Sequence, residues 1–533
     1  MKRFLFLFTL CCLAPGFPCA AADTPPAVKF PARDSFREFY EKWNDTEAKV
    51  PGQYLRLTVS PAGLPYPLLH YRLNVHVTEM EPGNAAPLYQ EAYKKMRQTE
   101  YYALREMYRS EEYARTVLAE RSGENAQDDY AAEKMNFRAF PIPPRYSPNA
   151  WTAIDASQEE QLYRSLNPAF QLLEKASKKR DCDWSYLLEF KGFATTLEHI
   201  QDIRDLGRYL SGKANWEIRN GKYEEAVRTI RVGYRLAEHL GNSEFPCLVT
   251  LLVSTAIRGT MDGQLRLLSV QPDAPNLYPA LTQFSPTADV MMRKGLQAEQ
   301  SWVFTRPNMI QAFDRLDNLP AEECKAVLRE FVSLFVSVQF NSLEDVGKSA
   351  DLENYLSAAC LISYPYGKER LLKRGLSEEE IGKLSVYQVV TPYLLESTKA
   401  AYEKMLVTAS FPAGSQHTAI VFDDYDYRRF DSPADLYLSL ILPAVQAAKN
   451  AFSRTDQNTD LMRIVEVIRY YAATHDGKLP KSLDAVDQLP VPLVGVYDNK
   501  PFRYHVEGDT AVIEYAVPSG AGDSRMEVTV ERK

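Results

Sequence analysis

The middle of the chain, from Ser157 to about Thr408, is a succession of helix-length segments separated by short breakers. Apolar residues recur there at the three-to-four-residue spacing that places them on one helix face. The clearest case is 202–240, where two such segments flank a turn at Asn220-Gly221. Because helices must bury their apolar faces against one another, we predict a mainly α fold with an irregular helical-hairpin domain over 84–455.

The segment 202–240 resembles a tetratricopeptide repeat. Small or turn-forming residues stand where that family needs them, at Ala214, Gly221, Ala226 and Gly233. Small residues let two antiparallel helices approach closely. Residues of another kind occupy three further positions of the family pattern, namely Lys213, Glu217 and Glu238. The sequence contains no neighbouring copy at the family's period, and a solenoid needs about three stacked repeats, so we predict one or two repeat-like hairpins.

The start of the chain has the three parts of a secretory signal peptide over residues 1–22. Basic Lys2 and Arg3 precede an apolar run of about 11 residues, and small residues precede Asp23. A membrane-spanning helix needs about 20 apolar residues, so the run is too short to be one. We predict cleavage near Ala22, export to the periplasm, the cell envelope or the outside, and no transmembrane segment in the mature chain.

Four cysteines remain after the leader: Cys182, Cys247, Cys324 and Cys360. In an oxidising compartment they allow two disulfides in any of three pairings. None is spaced as CxxC, which argues against a zinc site. Apolar neighbours favour the alternative that Cys247 and Cys360 are small hydrophobic residues in helix cores.

Residues 23–83 are predicted to form a Pro-rich tether and a β-like segment. Two runs within it have strand character, Gln53 to Val59 and Leu68 to Val77, the second with strict alternation. We expect them to form a hairpin or an edge on the helical body. Asn84 and Pro87 then mark the start of a helix that is predicted to extend to about Arg121.

The C-terminal part is predicted to be a separate small α+β module over 458–533. One helix is expected from Pro433 to about Phe452, and a second from Asn458 to Asp476-Gly477, with Asp456 among its capping residues. Three strand-like runs follow, over 501–506, 510–517 and 525–530. Further upstream, Ser377-Glu378-Glu379-Glu380 is a capping box that predicts a helix start.

Two regions together resemble an uncharacterised family of large secreted bacterial proteins that are mainly helical. The N-terminal signature consists of Leu68 to Leu73 and Pro82 to Tyr89. The C-terminal one includes Leu442-Pro443-Ala444, 476–483 and 500–504. That family has no established activity, so the resemblance implies no catalytic residue. The last 75 or so residues are also weakly similar to the globular part of type II secretion pseudopilins.

Composition limits the partners. Hydrophobic residues make up 45% and charged residues 25% of the chain, which is average for folded domains. The formal net charge is −8. Since nucleic acids and anionic membranes attract basic surfaces, we predict no nucleic-acid partner and no membrane binding through charge alone.

The densest cluster of acidic and aromatic residues is a candidate binding site, formed by Asp423, Asp424, Tyr425, Asp426 and Tyr427. Carboxylates at alternate positions can hold a hard cation, and tyrosine rings beside carboxylates can bind sugars. The alternative is a solvated connector whose charge is balanced by Arg428 and Arg429. We predict no metal and no cofactor for the chain as a whole.

Two functional hypotheses remain at this point. The first is an exported, non-enzymatic helical protein that presents a surface to a protein or polysaccharide partner; the motifs HExxH and GxSxG are absent from the sequence. The second is a secreted hydrolase, acting on carbohydrate, with a pair of carboxylates in a helical bowl. Such a pair has no local sequence code, so the sequence alone does not reveal its position.

Overall fold

A computed structural model describes residues 54–99, 156–184, 198–242, 247–304, 307–336, 350–409, 433–486, 488–497, 499–517 and 524–531. The described residues are 66% helical, with small sheets formed near the two ends of the chain. The predicted mainly α fold class is therefore confirmed.

The described residues contain fourteen α-helices. In the first half they are α1 (Ala86–Arg97), α2 (Ala156–Ser165), α3 (Asn167–Ser177), α4 (Glu198–Arg219), α5 (Tyr223–Gly241), α6 (Leu248–Ser269) and α7 (Tyr278–Leu281). In the second half they are α8 (Ala288–Phe304), α9 (Pro307–Asp314), α10 (Ala321–Val336), α11 (Ala350–Lys373), α12 (Glu378–Gly382), α13 (Val386–Ala409) and α14 (Pro433–Thr474). The strands are β1 (Tyr54–Val59), β2 (Glu81–Asn84), β3 (Lys179–Asp181), β4 (Arg503–Glu507), β5 (Thr510–Tyr515) and β6 (Ser524–Val530).

Helices α4 and α5 form the predicted hairpin, with Gly221 in the turn at a φ of +69°. A side chain at Gly233 would overlap the thioether of Met261 on α6, so the absence of a Cβ permits the close packing of α5 on α6. Ala214 and Ala226 are fully buried. Small residues at these positions therefore permit close packing of the helices, with Gly233 facing α6.

Two departures from the repeat pattern form a buried polar contact. The Lys213 ammonium pairs with the Glu217 carboxylate one turn away, and the Thr229 hydroxyl donates to the second carboxylate oxygen at 2.6 Å. Lys213 also lies 4.5 Å above the ring centre of Phe170 on α3. Because each charge has a partner, this pair can replace apolar residues inside the helical layer.

Helix α14 contributes side chains to all three main hydrophobic cores. The first core lies among α1 to α6, and Met462 of α14 reaches it. The second lies among α8 to α11 and α13 and includes Val445 and Phe452. The third lies between the sheet and the apolar side chains of α14 from Leu461 to Ala472.

The predicted break between two helices near residues 452–458 is wrong, because α14 is continuous over 42 residues. Asp456 does not cap its own helix. Its carboxylate instead accepts the backbone N–H groups of Thr287 and Ala288, at 2.7 and 2.8 Å, and so caps α8. A helix N-terminus leaves such N–H groups without partners, and a carboxylate from another helix satisfies them as well as a local one.

The C-terminal strands form where the sequence predicts them, joined by a turn at Gly508, and one strand from the other end of the chain completes their sheet. The sheet order is β1-β6-β5-β4, with β1 parallel to β6 and Leu57 opposite Val528. Of the two arrangements expected for these runs, a hairpin or an edge on the helical body, the hairpin is wrong, because residues 68–76 contain no strand. β1 alone forms an edge strand, on the C-terminal sheet. Leu57 and Val59 are buried in the third core, which explains the position of β1.

Several local predictions are confirmed. Ser377 and Glu380 form the capping box at the start of α12. The Asn84 side chain accepts the N–H of Ala86 at 3.0 Å, at the start of α1. Cys247 is buried in the core, as predicted, whereas Cys360, predicted to be buried as well, is only half-buried; the structure forms no disulfide among the four cysteines. Among the described residues, no helix combines the length and the apolar character that a membrane crossing requires.

Candidate functional site

The predicted acidic and aromatic cluster, Asp423 to Tyr427, lies outside the described residues, so it stays a prediction. Within the described ranges, no three histidine, cysteine or acidic side chains converge as a metal site requires. Two other features are candidates for function: an exposed apolar helix face and a buried carboxylate network.

Helix α11 has two opposite apolar faces. The first is buried at helical spacing, through Leu352, Leu356, Ser363, Gly367 and Leu371. It packs against α10 and α13. This face accounts for how α11 is held in the second core.

The second face of α11 points to solvent. Leu361 is 79% and Ile362 48% exposed, and Tyr355 is 39% exposed. Ala358 and Pro365 are also exposed, and no charged residue occurs from Asn354 to Gly367. We call Tyr355, Ala358, Leu361, Ile362 and Pro365 the α11 face. A helix that is apolar on all sides is normally buried, so this exposed stripe is a candidate interaction surface.

The presentation of the α11 face depends on the close packing of Gly367. A Cβ at this position would overlap the backbone carbonyl oxygen of Val389 on α13. We therefore expect Gly367→Ala to lower the free energy of unfolding by about 1–3 kcal/mol, because backbone atoms must move to make room. Thermal or urea unfolding measures this loss. The control is Gly382→Ala on α12, where a Cβ meets no atom within 4 Å; equal stability of the two variants would contradict the prediction.

The buried carboxylate network lies between α5, α6 and α14. Asp262 on α6 accepts a hydrogen bond of 2.5 Å from the Tyr234 hydroxyl, while its second oxygen has no hydrogen-bond partner. Burial raises the pKa of the Asp262 carboxyl to about 6, despite the opposing effects of Arg258 and the Tyr234 hydrogen bond. A carboxyl group with such a pKa can exchange a proton near neutral pH.

Arg258 connects Asp262 to helix α14. Its guanidinium donates to the hydroxyls of Thr287 and Thr459, at 3.0 and 3.1 Å, and lies 3.6 Å from the Asp456 carboxylate. Asp262 and Asp456 are only 3% and 4% exposed. The two carboxyl groups thus belong to one network, but a sugar chain does not reach them in this conformation.

A third polar cluster holds α1, β3, α4 and α5 together. The His239 Nε2–H donates to the Lys179 carbonyl at 3.0 Å, and its Nδ1 accepts the Tyr89 hydroxyl at 2.8 Å. Trp184 stacks on Tyr89 and on His199, with ring centres 6.0 and 5.3 Å apart. Burial lowers the pKa of His239 to about 3 and that of His199 to about 4. Both histidines are therefore neutral, and their role here is packing.

Sequence reasoning missed both the α11 face and the network around Asp262. The signal for the face was present in the sequence, as 14 consecutive residues without a charge from Asn354 to Gly367. Asp262 lacked such a signal, because its partners Tyr234 and Asp456 are distant in the sequence. Comparisons with protein-family models, with curated proteins and with solved structures found no match to this chain.

Proposed function

We propose that this chain is an exported helical scaffold protein that presents the α11 face to a protein partner. The observation that carries the proposal is the exposure of Leu361 and Ile362 on a helix whose opposite side is already buried. Burying large aliphatic side chains on association is favourable by about 25 cal/mol per Å² of apolar surface. The signal-peptide pattern over residues 1–22 supports export.

The chemistry of the α11 face favours a protein over a polysaccharide. Sugars are bound by flat aromatic rings together with hydrogen-bonding side chains, whereas the centre of this face consists of Leu361, Ile362, Ala358 and Pro365. These side chains offer apolar contact without polar groups that could pair with hydroxyls. A complementary apolar protein surface satisfies them best.

A secreted hydrolase is the rival hypothesis, and the observation in its favour is the raised pKa of Asp262 in a network with Asp456. A glycosidase uses such a protonated carboxyl group as its general acid. The burial of both side chains opposes this role, because substrate must contact them. Turnover of any glycan in a panel by the native chain, abolished by Asp262→Asn, would reverse our ranking.

Site-specific photocrosslinking in the native host tests the proposed function. A photoreactive phenylalanine analogue replaces Leu361 in the full-length chain. We expect it to form a protein adduct of discrete mass, because an exposed central apolar residue of an interface contacts the partner directly. Val77, which is 68% exposed on a different part of the chain, is the matched control position.

The specificity of the adduct is checked with a second change on the same face. Ile362→Lys is expected to lower the adduct yield from position 361 by at least about fivefold, since a charge in the centre of an apolar contact is desolvated without a partner. Equal adducts from positions 361 and 77, or none from either, would contradict the proposal.

A further inference from the structure

We propose that a single water molecule is bound inside the helical body, where it bridges the Arg258 guanidinium and the Asp262 carboxyl group. This site goes beyond the proposed function, because it lies in the buried carboxylate network and does not depend on the α11 face. Two polar atoms define it, Nε of Arg258 and Oδ2 of Asp262. Both atoms are buried, and neither has a hydrogen-bond partner within the protein.

Buried polar atoms without partners are rare in proteins, because a donor or acceptor that loses its hydrogen bonds to water must regain them in the interior. Here one donor and one acceptor lack partners in the same network. Nε of Arg258 carries a hydrogen, and Oδ2 of Asp262 carries lone pairs. One water molecule satisfies both atoms, since it accepts from the guanidinium and donates to the carboxylate.

The two residues lie close together on α6 without a direct hydrogen bond between Nε and Oδ2. They are four positions apart, so their side chains leave the helix on the same face. Burial raises the pKa of Asp262, and the Arg258 guanidinium opposes this rise more than any other group, which places it near the carboxyl group. A bridging water spans about 5 Å between donor and acceptor, because it forms two hydrogen bonds of about 2.8 Å at an angle.

The remaining hydrogen bonds of both side chains hold them in place. The two terminal nitrogens of Arg258 donate to the hydroxyls of Thr287 and Thr459, at 3.0 and 3.1 Å. Oδ1 of Asp262 accepts the Tyr234 hydroxyl at 2.5 Å. Rotating either side chain to bring Nε onto Oδ2 would break these contacts. A bridging molecule therefore satisfies the two atoms at a lower cost than a rearrangement of the network.

The charges around this position favour a neutral ligand over an ion. The titratable and charged groups that act on Asp262 are Tyr234 of α5, Arg258 and Arg266 of α6, and Asp456 of α14. The guanidinium groups repel a cation, and the carboxylates repel an anion. Water also suits both protonation states of Asp262, whose pKa burial raises to about 6, because it can donate to a carboxylate or accept from a carboxyl group.

High-resolution crystal structures of the full chain at pH 5 and pH 7 test the site directly. We expect one electron-density peak within about 3.2 Å of both atoms at each pH. Gln264, also buried on α6, is the internal control, because its amide nitrogen donates to Ser211 at 3.0 Å and its oxygen accepts from Asn215 at 3.3 Å. A direct hydrogen bond from Nε of Arg258 to Oδ2 of Asp262, or no density between the separated atoms, would overturn the inference.

Two variants at position 262 test whether the carboxyl group holds the water. Asp262→Leu keeps the branched skeleton but replaces both oxygens by methyl groups, so the water loses one of the roughly two to four polar partners that a buried water needs. We expect the peak to be lost in this variant. Asp262→Asn keeps polar atoms at the same place and should retain the peak. A peak that persists in Asp262→Leu, or one that is lost in Asp262→Asn, would overturn the assignment.

Magnetic relaxation dispersion of oxygen-17 water tests the same site in solution, since it counts the water molecules that reside in a protein for longer than its tumbling time. We expect the native chain and Asp262→Asn to hold one more such molecule than Asp262→Leu. Gln264→Leu, the matched change at a buried amide with protein partners, should give the native count. Equal counts for the native chain and Asp262→Leu would overturn the inference.

Discussion

Replacing Arg469 by methionine is expected to lower the free energy of unfolding by about 3–5 kcal/mol, because it leaves the buried Glu466 carboxylate without its partner. Arg469 is fully buried on α14, and its guanidinium contacts both carboxylate oxygens of Glu466, at 3.0 and 2.9 Å. Removal of one member of a buried ion pair costs far more than the pair itself contributes.

The remaining donors of Arg469 explain why the loss should affect the whole assembly. Its Nε donates to the carbonyl of Ser60 at 3.1 Å, just beyond β1. Its Nη2 donates to the carbonyl of Ala274 at 2.7 Å, in the segment that leads to α7. The Arg469 side chain therefore links the N-terminal strand and the helical layer to α14. Its removal would leave the carbonyl groups of Ser60 and Ala274 without their hydrogen-bond donors.

Urea unfolding monitored by circular dichroism measures the effect. The control is Arg503→Met, because Arg503 is 62% exposed and pairs with Glu514 at the surface of β4, where a pair contributes less than about 1 kcal/mol. The double variant Arg469→Met with Glu466→Leu should recover much of the lost stability, since no buried charge remains. A single variant as stable as the Arg503→Met control would contradict this account.

Local signals in the sequence predicted the helical body and its caps. The turn at Asn220-Gly221 and the box from Ser377 to Glu380 consist of residues that satisfy the backbone within a few positions. Such contacts are fixed by neighbouring residues, so a single sequence contains the necessary information. The mainly α class follows from the same periodic patterns.

Contacts between distant segments were not predictable in this way. The pairing of β1 with β6 joins Leu57 to Val528, and the apolar pattern of β1 does not specify which strand it accompanies. Asp456 has the local features of an N-cap, yet it caps α8, because the long helix α14 places it there. A polar side chain in a sequence reveals its need for a partner but not the partner's identity.

The candidate sites also differ in whether neighbouring or distant residues of the sequence form them. The α11 face is a local feature, and the uncharged stretch that forms it is visible in the sequence once both faces of the helix are compared. The network around Asp262 depends on three helices, so only the fold reveals it. The cluster from Asp423 to Tyr427, which the sequence favours for ligand binding, stays a prediction.

Replacing Asp262 by asparagine is expected to raise the free energy of unfolding at pH 7 by about 1–3 kcal/mol. Burial raises the pKa of this carboxyl from 3.8 to about 6, while Arg258 and Tyr234 oppose the rise. A difference of about two pKa units corresponds to about 3 kcal/mol between the two protonation states. The free energy of unfolding of the variant rises by less than this, because the new amide group must also be accommodated where one carboxylate oxygen has no hydrogen-bond partner.

The pH dependence of the gain follows from the sign of the shift. Below about pH 4 the Asp262 carboxyl is protonated in the folded and the unfolded chain alike. It is then neutral, so its burial does not lower the free energy of unfolding through charge. Between about pH 4 and pH 6 only the unfolded chain releases the proton readily, and the native protein progressively loses stability relative to the variant. Above about pH 6 the carboxylate is charged in both states and the full cost is present.

Other buried groups titrate over the same range, so the difference between variant and native protein is the quantity to measure. His199 and His239 have lowered pKa values and destabilise the native protein as the pH falls, which is the opposite direction from Asp262. Urea unfolding of the variant and of the native protein is measured at pH 4, 5, 6 and 7. Subtracting one free energy of unfolding from the other at each pH cancels the contribution of the two histidines. The same substitution at the exposed Asp484, Asp484→Asn, serves as the control. A gain from Asp262→Asn that is equally large at pH 4 and pH 7 would show that its origin is packing, and the carboxylate would then have no part in the pH dependence.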